Sequence, residues 1–327
     1  MKVVYDIKEW KEQAVVATIG FFDGVHSGHY FLIKEMLRIA SERKLPAAVI
    51  TFPVHPRVVL HSDYQPELLN SFEEKLELLS QTGVDYTIVM DFTPSLAALT
   101  AREFIADVLS KQWHVKTLLV GYDHRFGHSR SEGFEQYVMY GRTCGMEVLN
   151  AVSYSDEGVT FSSSGVRQLL YAGNVAEAAR ILGYFYCLKG HVVNGYKVGR
   201  SIGFPTANIA VDEKSKIIPS AGSYAVWVVT GGQRYKGMLY IGSRPTLRDQ
   251  GEMSIEVNMF DFSGDIYDEA VTVEFVDFIR KDMKFDSLDA LGRQMREDKI
   301  KALTAIDNAQ SASNIFFHKV EKMHDGQ

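Results

Sequence analysis

Two histidines three residues apart, His26 and His29, close the segment Gly20-Phe21-Phe22-Asp23-Gly24-Val25-His26-Ser27-Gly28-His29. The apolar run Ala14–Ile19 before it predicts a buried strand, and Tyr30–Arg38 after it predicts an amphipathic helix. The segment therefore reads as strand, glycine-bearing turn and helix start. A helix N-terminus offers free backbone N–H groups and partial positive charge, which attract phosphate. Histidines at i and i+3 share a helix face. Placed there, they suit a triphosphate broken between its α and β phosphorus atoms, with imidazolium charge stabilising the departing pyrophosphate. Gly28 is expected to let phosphate approach the backbone. Asp23 is expected to shape the turn or to orient a histidine or a metal-bound water.

Three further patches of the first half fit an anionic ligand. In Thr51-Phe52-Pro53-Val54-His55-Pro56-Arg57, two prolines are expected to stiffen a loop from which His55 and Arg57 project. Gly121–Arg130 carries Asp123, Arg125 and Arg130 alongside Gly121 and Gly127. Phe161-Ser162-Ser163-Ser164-Gly165-Val166-Arg167 places hydroxyls at a helix start with an arginine one turn on. In the second half, Gly195–Asn208 combines spaced glycines with Lys197 and Arg200, a Phe-Pro turn, and Thr206 and Asn208 on one strand face. Their oxygens suit Mg²⁺ with bound phosphates. Glu256 and Asn258 share a face of another strand, with Val257 and Met259 opposite. A carboxylate in a barrel mouth can accept a proton from an attacking hydroxyl.

The elements that must hold these residues change texture along the chain. Apolar runs at 14–20, 46–52, 85–92, 116–122 and 146–152 alternate with helical patterns at 28–43, 71–82, 100–111 and 131–144, as a doubly wound parallel sheet requires. Ligands on such sheets sit at the C-terminal strand ends, where the first three patches fall. Asn70 or Ser71 can cap the second helix, and Thr100 with Glu103 forms a capping-box pattern. Short helices at 163–172 and 174–182 follow. Then come β-branched and aromatic segments at 185–193, 206–211, 222–229, 234–242, 253–262 and 270–280, and a helix over 287–309 with a fraying tail. Six strands without intervening helices read as a small antiparallel barrel. The boundary is expected near Gly183, giving domains 1–183 and 184–327.

The 327 residues carry a net charge of −6, divided −5 and −1 between these domains. Neither has the basic excess of a protein that tracks nucleic acid. No apolar run reaches the ~20 residues of a membrane span. The N-terminus shows no signal sequence, and Cys144 and Cys187 stand far apart, which points to the cytoplasm and to no zinc site or disulfide. Nothing in the sequence bears on oligomeric state.

Gly20–His29 is similar to the H-x-G-H signature of the nucleotidyltransferase superfamily. With Thr51–Arg57, Gly121–Gly127 and Ser162–Arg167, it resembles the FAD synthetase module of bacterial bifunctional riboflavin kinase/FMN adenylyltransferases. Gly199–Asn208 resembles the G-R-x-x-G-F-P-T-A-N motif of the riboflavin kinase module, and Ile241–Thr246 a further motif of that module. Phe21 and Tyr240 stand where the family commonly has Asn, Gly165 where it has Arg, and Asn258 where it has His. The resemblance implies a Rossmann-like α/β nucleotidyltransferase domain followed by a six-stranded Greek-key β-barrel with a C-terminal helix. It implies His26, His29, Ser163, Ser164 and Arg167 on ATP phosphates, with Gly20, Phe22, Asp23 and Gly28 of the turn also binding ATP. In the barrel it implies Gly195, Lys197, Gly199 and Arg200 on ATP, Thr206 and Asn208 on Mg²⁺ and phosphates, and Glu256 as general base. Flavin contacts are expected at His55, Arg57, Asp123, Arg125, Arg280 and Phe285. Riboflavin would be phosphorylated by ATP to FMN and ADP, and FMN adenylylated to FAD and pyrophosphate. The alternative is an adenylyltransferase for another phosphorylated metabolite, with a barrel that only senses flavin.

Overall fold

The computed structural model describes residues 1–60, 63–121, 125–127, 132–151, 155–156, 159–194, 203–243 and 253–322. By packing, the chain divides into two compact units, Met1–Ser163 and Ser164–Gln327. In the first, β1 (Lys2–Val4), β2 (Val15–Ile19), β3 (Ala47–Thr51), β4 (Tyr86–Val89), β5 (Val115–Val120) and β6 (Glu147–Asn150) form one sheet. Its order is β1-β4-β3-β2-β5-β6 and every pair is parallel. Around it lie α1 (Ser27–Arg43), α2 (Pro56–Leu60), α3 (Phe72–Ser80), α4 (Pro94–Ala97), α5 (Ala101–Glu103) and α6 (Phe134–Thr143), with α5 running into a π-wound stretch at Phe104–Gln112.

The strands read as unbroken apolar runs because both faces are covered. Val15, Ala17, Ile19, Ala48, Ile50, Leu118 and Val120 pack with Phe104, Ile105, Val108, Leu109 and Tyr137 on one side. Val16, Ala47, Val49 and Leu119 pack with Ile33, Met36, Ile39 and Ala40 of α1 and Leu79 of α3 on the other. The strand order reverses direction between β2 and β5, and the C-terminal end of β2 at that switch point carries the two-histidine turn.

The structure departs from the sequence reading in four elements. Strand β1 is three residues long, too short for periodicity to reveal, yet pairs with β4. Pro56 does not stiffen an extended loop but starts helix α2, its missing N–H costing nothing at a first helical position. The helix expected over 100–111 keeps its Thr100–Glu103 capping box and then widens to π winding. The last helix runs on to Lys322 rather than ending near 309, since no Gly or Pro interrupts 293–322.

A two-stranded hairpin, β7 (Ser155–Asp156) and β8 (Val159–Thr160), precedes α7 (Ser163–Tyr171) and α8 (Val175–Leu182). Then β9 (Cys187–Val193), β10 (Ala207–Val211), β11 (Gly222–Thr230), β12 (Gln233–Ser243), β13 (Met253–Met259) and β14 (Ala270–Lys281) close an antiparallel barrel in the order β10-β13-β12-β11-β14-β9. The final helix is α9 (Leu288–Lys322). Packing divides the chain at Ser163 rather than near Gly183 because α8 buries Val175, Ala178, Ile181 and Leu182 and packs on β14. Strand β11 is buried on both faces: Ala225 and Trp227 pack with Ala302 and Ile306 of α9, while Tyr224, Val226 and Val228 alternate with them.

Closure of the barrel brings β9 hard against β10: a Cβ on Gly190 would lie 2.2 Å from the Ala210 carbonyl oxygen. Gly190→Ala is expected to destabilise this unit by about 1–3 kcal/mol through overpacking. Urea unfolding monitored by Trp227 fluorescence, with Trp10 and Trp113 replaced by Phe, measures it; an unchanged midpoint would refute the close approach.

Candidate active sites

The two-histidine turn is a strained backbone held from several sides. Phe22, Gly24 and Val25 have φ of 55°, 81° and 33°, a region that L side chains rarely occupy without support. Support begins where β2 ends. Gly20 N–H donates to the Ile50 carbonyl at 3.0 Å, and the Thr51 hydroxyl to the Phe21 carbonyl at 3.2 Å. The Asp23 carboxylate, 5% exposed, accepts from Leu69 N–H at 3.0 Å and Asn70 N–H at 3.4 Å. The Asp23 carbonyl accepts from the Ser163 hydroxyl at 2.8 Å. Asp23 thus ties the turn to Leu69, Asn70 and Ser163.

The turn delivers His26 as the N-cap of α1, its Nδ1 accepting from His29 N–H at 3.3 Å. While that bond stands, Nδ1 carries no proton, and Nε2–H is the donor that His26 offers. The His26 and His29 rings stack with centroids 3.7 Å apart, and Phe22 meets His29 edge-on at 5.1 Å. A Cβ on Gly28 would lie 3.2 Å from the His26 ring and 3.2 Å from Phe161 Cβ. Gly28 makes room for the imidazole itself. Gly20 does the same for the Phe22 ring, at 3.1 Å.

Beside the turn, His55 packs edge-on to Phe21 at 4.7 Å and lies 5.4 Å from Tyr64. Its Nδ1 accepts from Arg57 N–H at 3.1 Å, and the Arg57 guanidinium lies over Tyr64 at 5.8 Å. Phe21, His55, Tyr64 and Arg57 so form one aromatic and cationic patch. Arg125 is exposed and donates to the Glu132 carbonyl at 3.2 Å. Ser164 and Arg167 follow Ser163 on α7. Asp123, Gly195, Lys197, Gly199 and Arg200 lie outside the described residues.

In the barrel, the two faces of β13 look into two hollows. Glu256 and Asn258 line a cavity of about 210 Å³ with Thr206, Ser223, Tyr240 and Arg280, bounded on one side by Leu291, Met295 and Asp298 of α9. Val257 and Met259 line a cleft of about 470 Å³ with Val192, Phe262 and Tyr267. Thr206 borders both. Its hydroxyl donates to Glu256 Oε2 at 3.3 Å, and the Ser254 hydroxyl donates to Oε1 at 2.9 Å. Asn208 is buried, directly across from Glu256 in the β10–β13 register. Thr206 precedes the first residue of β10 rather than lying within the strand. Asn258 Nδ2 donates to the Pro205 carbonyl at 2.7 Å, fixing the approach to Thr206.

Sequence reasoning missed several cavity residues. Tyr240, across from Glu256 in the β12–β13 register, donates to Asp282 at 2.8 Å. Burial and this carboxylate push its pKa up to about 12, so it stays a donor. Arg280 Nε donates to Asp298 Oδ2 at 2.8 Å, and Gln294 donates to the other oxygen at 2.9 Å. Phe285 lies under the Arg280 guanidinium at 5.6 Å rather than on the cavity wall. Asp298 and Gln294 share a helix face at i and i+4, but nothing local tells which arginine they meet. Among the described residues, no three His, Cys, Asp or Glu side chains cluster as a metal site.

Residues 8–165 match the FAD synthetase family and residues 182–306 the riboflavin kinase family. A bifunctional riboflavin kinase/FMN adenylyltransferase of Escherichia coli is 36% identical over 300 residues, covering 91% of this chain and 95% of that protein. The chain belongs to the bifunctional riboflavin kinase/FMN adenylyltransferase family. A family member of Bacillus subtilis is 35% identical over 307 residues, covering 92% of this chain and 95% of its own length. A crystal structure described as a macrolide-efflux protein from Streptococcus pneumoniae superposes with a TM-score of 0.83 at 33% identity, covering 91% of this chain and 97% of that one. No described helix of this family member is long and apolar enough to cross a membrane.

The Arg280–Asp298 pair has side chains only 14% and 3% exposed. Asp298→Ala should destabilise the barrel unit by about 3–5 kcal/mol by stranding a buried guanidinium. Adding Arg280→Met should recover most of that loss. Thermal unfolding of both variants tests this, and a double variant no better than the single one would contradict it.

Proposed function

We propose that the turn at the end of β2 is the site of adenylyl transfer and that Thr206 and Glu256 mark the site of phosphoryl transfer. The chain is a riboflavin kinase and FMN adenylyltransferase. The division of those activities is proposed at residue 183. The observation that carries the kinase assignment is the Thr206–Glu256 hydrogen bond at the border of two hollows. A flavin in the smaller, with Arg280 and Tyr240 beside it, brings its 5′-hydroxyl to Glu256. A nucleotide in the larger brings its phosphates to Thr206. Glu256 takes the hydroxyl proton as the oxygen bonds to the γ-phosphorus of ATP, and ADP leaves. Ser254 holds the other carboxylate oxygen in place.

Mg²⁺ is expected in this site. The hydroxyl and amide oxygens of Thr206 and Asn208 are hard donors of the kind it prefers, with phosphates and water completing its shell. Bound there, it would neutralise phosphate charge. Gly195, Lys197, Gly199 and Arg200 are proposed as further ATP contacts on their motif alone.

In the N-terminal site, a phosphate oxygen of FMN bonds to the α-phosphorus of a second ATP and pyrophosphate leaves. The His26 Nε2–H, His29 and the N-terminus of α1 supply donors and positive potential where negative charge grows. Ser163, Ser164 and Arg167 are assigned to phosphates. The patch of Phe21, His55, Tyr64 and Arg57, with Asp123 and Arg125, is assigned to the flavin end. The acidic balance and the absence of a disulfide between Cys144 and Cys187 support a cytoplasmic location and small-molecule rather than nucleic-acid substrates.

His29→Ala is expected to slow FAD formation from FMN about 10²–10³-fold while FMN formation from riboflavin continues. Glu256→Gln should slow FMN formation about 10²–10⁴-fold and leave FAD formation from supplied FMN intact. Mass analysis of products with riboflavin or FMN, ATP and Mg²⁺ reads both. If either substitution stops both steps equally in folded protein, the two-site assignment is wrong.

A further inference from the structure

Lys75 lies on α3 in line with Phe72 and Leu79, at a spacing that faces the core, and is 3% exposed. The chemistry above gives it no task. Its ammonium donates to the Phe21 carbonyl at 3.0 Å and to the Phe52 carbonyl at 2.8 Å, and lies 4.0 Å from the Phe21 ring centre. Phe21 follows β2 and Phe52 follows β3, and the loops that begin there carry His26 and His29 on one side and His55 and Arg57 on the other. A compact ammonium with several donors can bind both carbonyls at once and so set the spacing of the two loops. The residues after Phe21 are the ones with strained φ, which need such over-determination.

Burying a cation among apolar side chains is costly. A Leu or Met would fill the same stripe of α3 without that cost. Burial lowers the Lys75 pKa to about 8, with Asp23 acting in the opposite direction. Besides Asp23 from the turn, His55 reaches this neighbourhood through its contact with Phe21, and Glu74 on α3 is bonded to Ser71 N–H.

We propose that Lys75 is a positioning residue for adenylyl transfer, holding the ATP-binding turn and the FMN-binding loop in register through the Phe21 and Phe52 carbonyls. This rests on the reading that adenylyl transfer occurs at that turn. As pH rises through about 8, Lys75 loses its charge and its grip weakens, so kcat for FAD formation falls. Folding stability moves the other way. The folded pKa lies below the unfolded value of about 10.4, so the penalty is full below pH 8 and is relieved between pH 8 and 10.4. A residue that only held the fold would not separate the two trends.

The test uses the full chain carrying Lys75→Met or Lys75→Arg. Lys75→Met is expected to lower kcat for FAD formation about 10–100-fold, with KM for ATP within about threefold and riboflavin phosphorylation unchanged. Near-ultraviolet circular dichroism of the Trp10–Trp113 pair, packed edge-to-face at 5.6 Å, reports that the unit is folded. The alkaline fall of kcat in the parent should move upward in Lys75→Arg, whose guanidinium keeps its charge. FAD formation within about threefold of the parent in folded Lys75→Met overturns the proposal. Should that variant lose its tryptophan signal, the parent alone decides: a kcat that does not fall between pH 7 and 9 overturns it. Failure of the underlying site reading shows separately, as FAD formation that survives His29→Ala.

Discussion

A chain that leaves a sheet still carries backbone donors and acceptors, and buried ones must be met. In this protein the groups that meet them are what aim the residues proposed to face ligands. The carbonyl of Phe21, just past β2, is held by Thr51 and Lys75. The carbonyl of Asp23 is held by Ser163, and the amides of Leu69 and Asn70 by the Asp23 carboxylate. The result is a turn that can keep Phe22 and Val25 at positive φ and deliver His26 to the cap of α1. The barrel follows the same rule: Asn258 holds the carbonyl of Pro205, and Thr206 follows.

The two sites solve different chemical demands with that rule. Breaking a triphosphate at the α-phosphorus requires donors where pyrophosphate departs, and the site proposed for it is a helix start with stacked imidazoles. Activating a hydroxyl requires a carboxylate held at the border of two ligands. Strand pleating supplies that border: Glu256 and Asn258 face one hollow, and Val257 and Met259 face the other. In the proposed reading, such a strand sets flavin and nucleotide on opposite sides of one backbone without a loop between them.

Much of this architecture is legible in the sequence. The apolar runs of β2 to β6 and the six barrel strands stand out, because both signals are periodic over neighbouring residues. The Ser71–Glu74 and Thr100–Glu103 capping boxes are equally local. Pro56 misled because proline fits a stiff loop and a first helical position alike. His26 stood out in sequence by its place at a helix start but not as a cap acceptor, since its bond to the His29 amide exists only in the folded turn. Lys75 had a signal, a charge on an apolar stripe, but no local cue to its partners.

Chain-local order, then, determined the strand–helix alternation, the barrel, the glycine-bearing turns and the residue types at each ligand edge. Tertiary structure alone decided which of those edges meet. The Lys75 ammonium reaches carbonyls 54 and 23 residues away, Thr206 reaches Glu256 across 50 residues, and Tyr240 meets Asp282 across 42. Propensity and periodicity act over one or two turns of backbone, whereas these bonds exist only once sheet order and barrel closure have brought distant strand ends within about 3 Å.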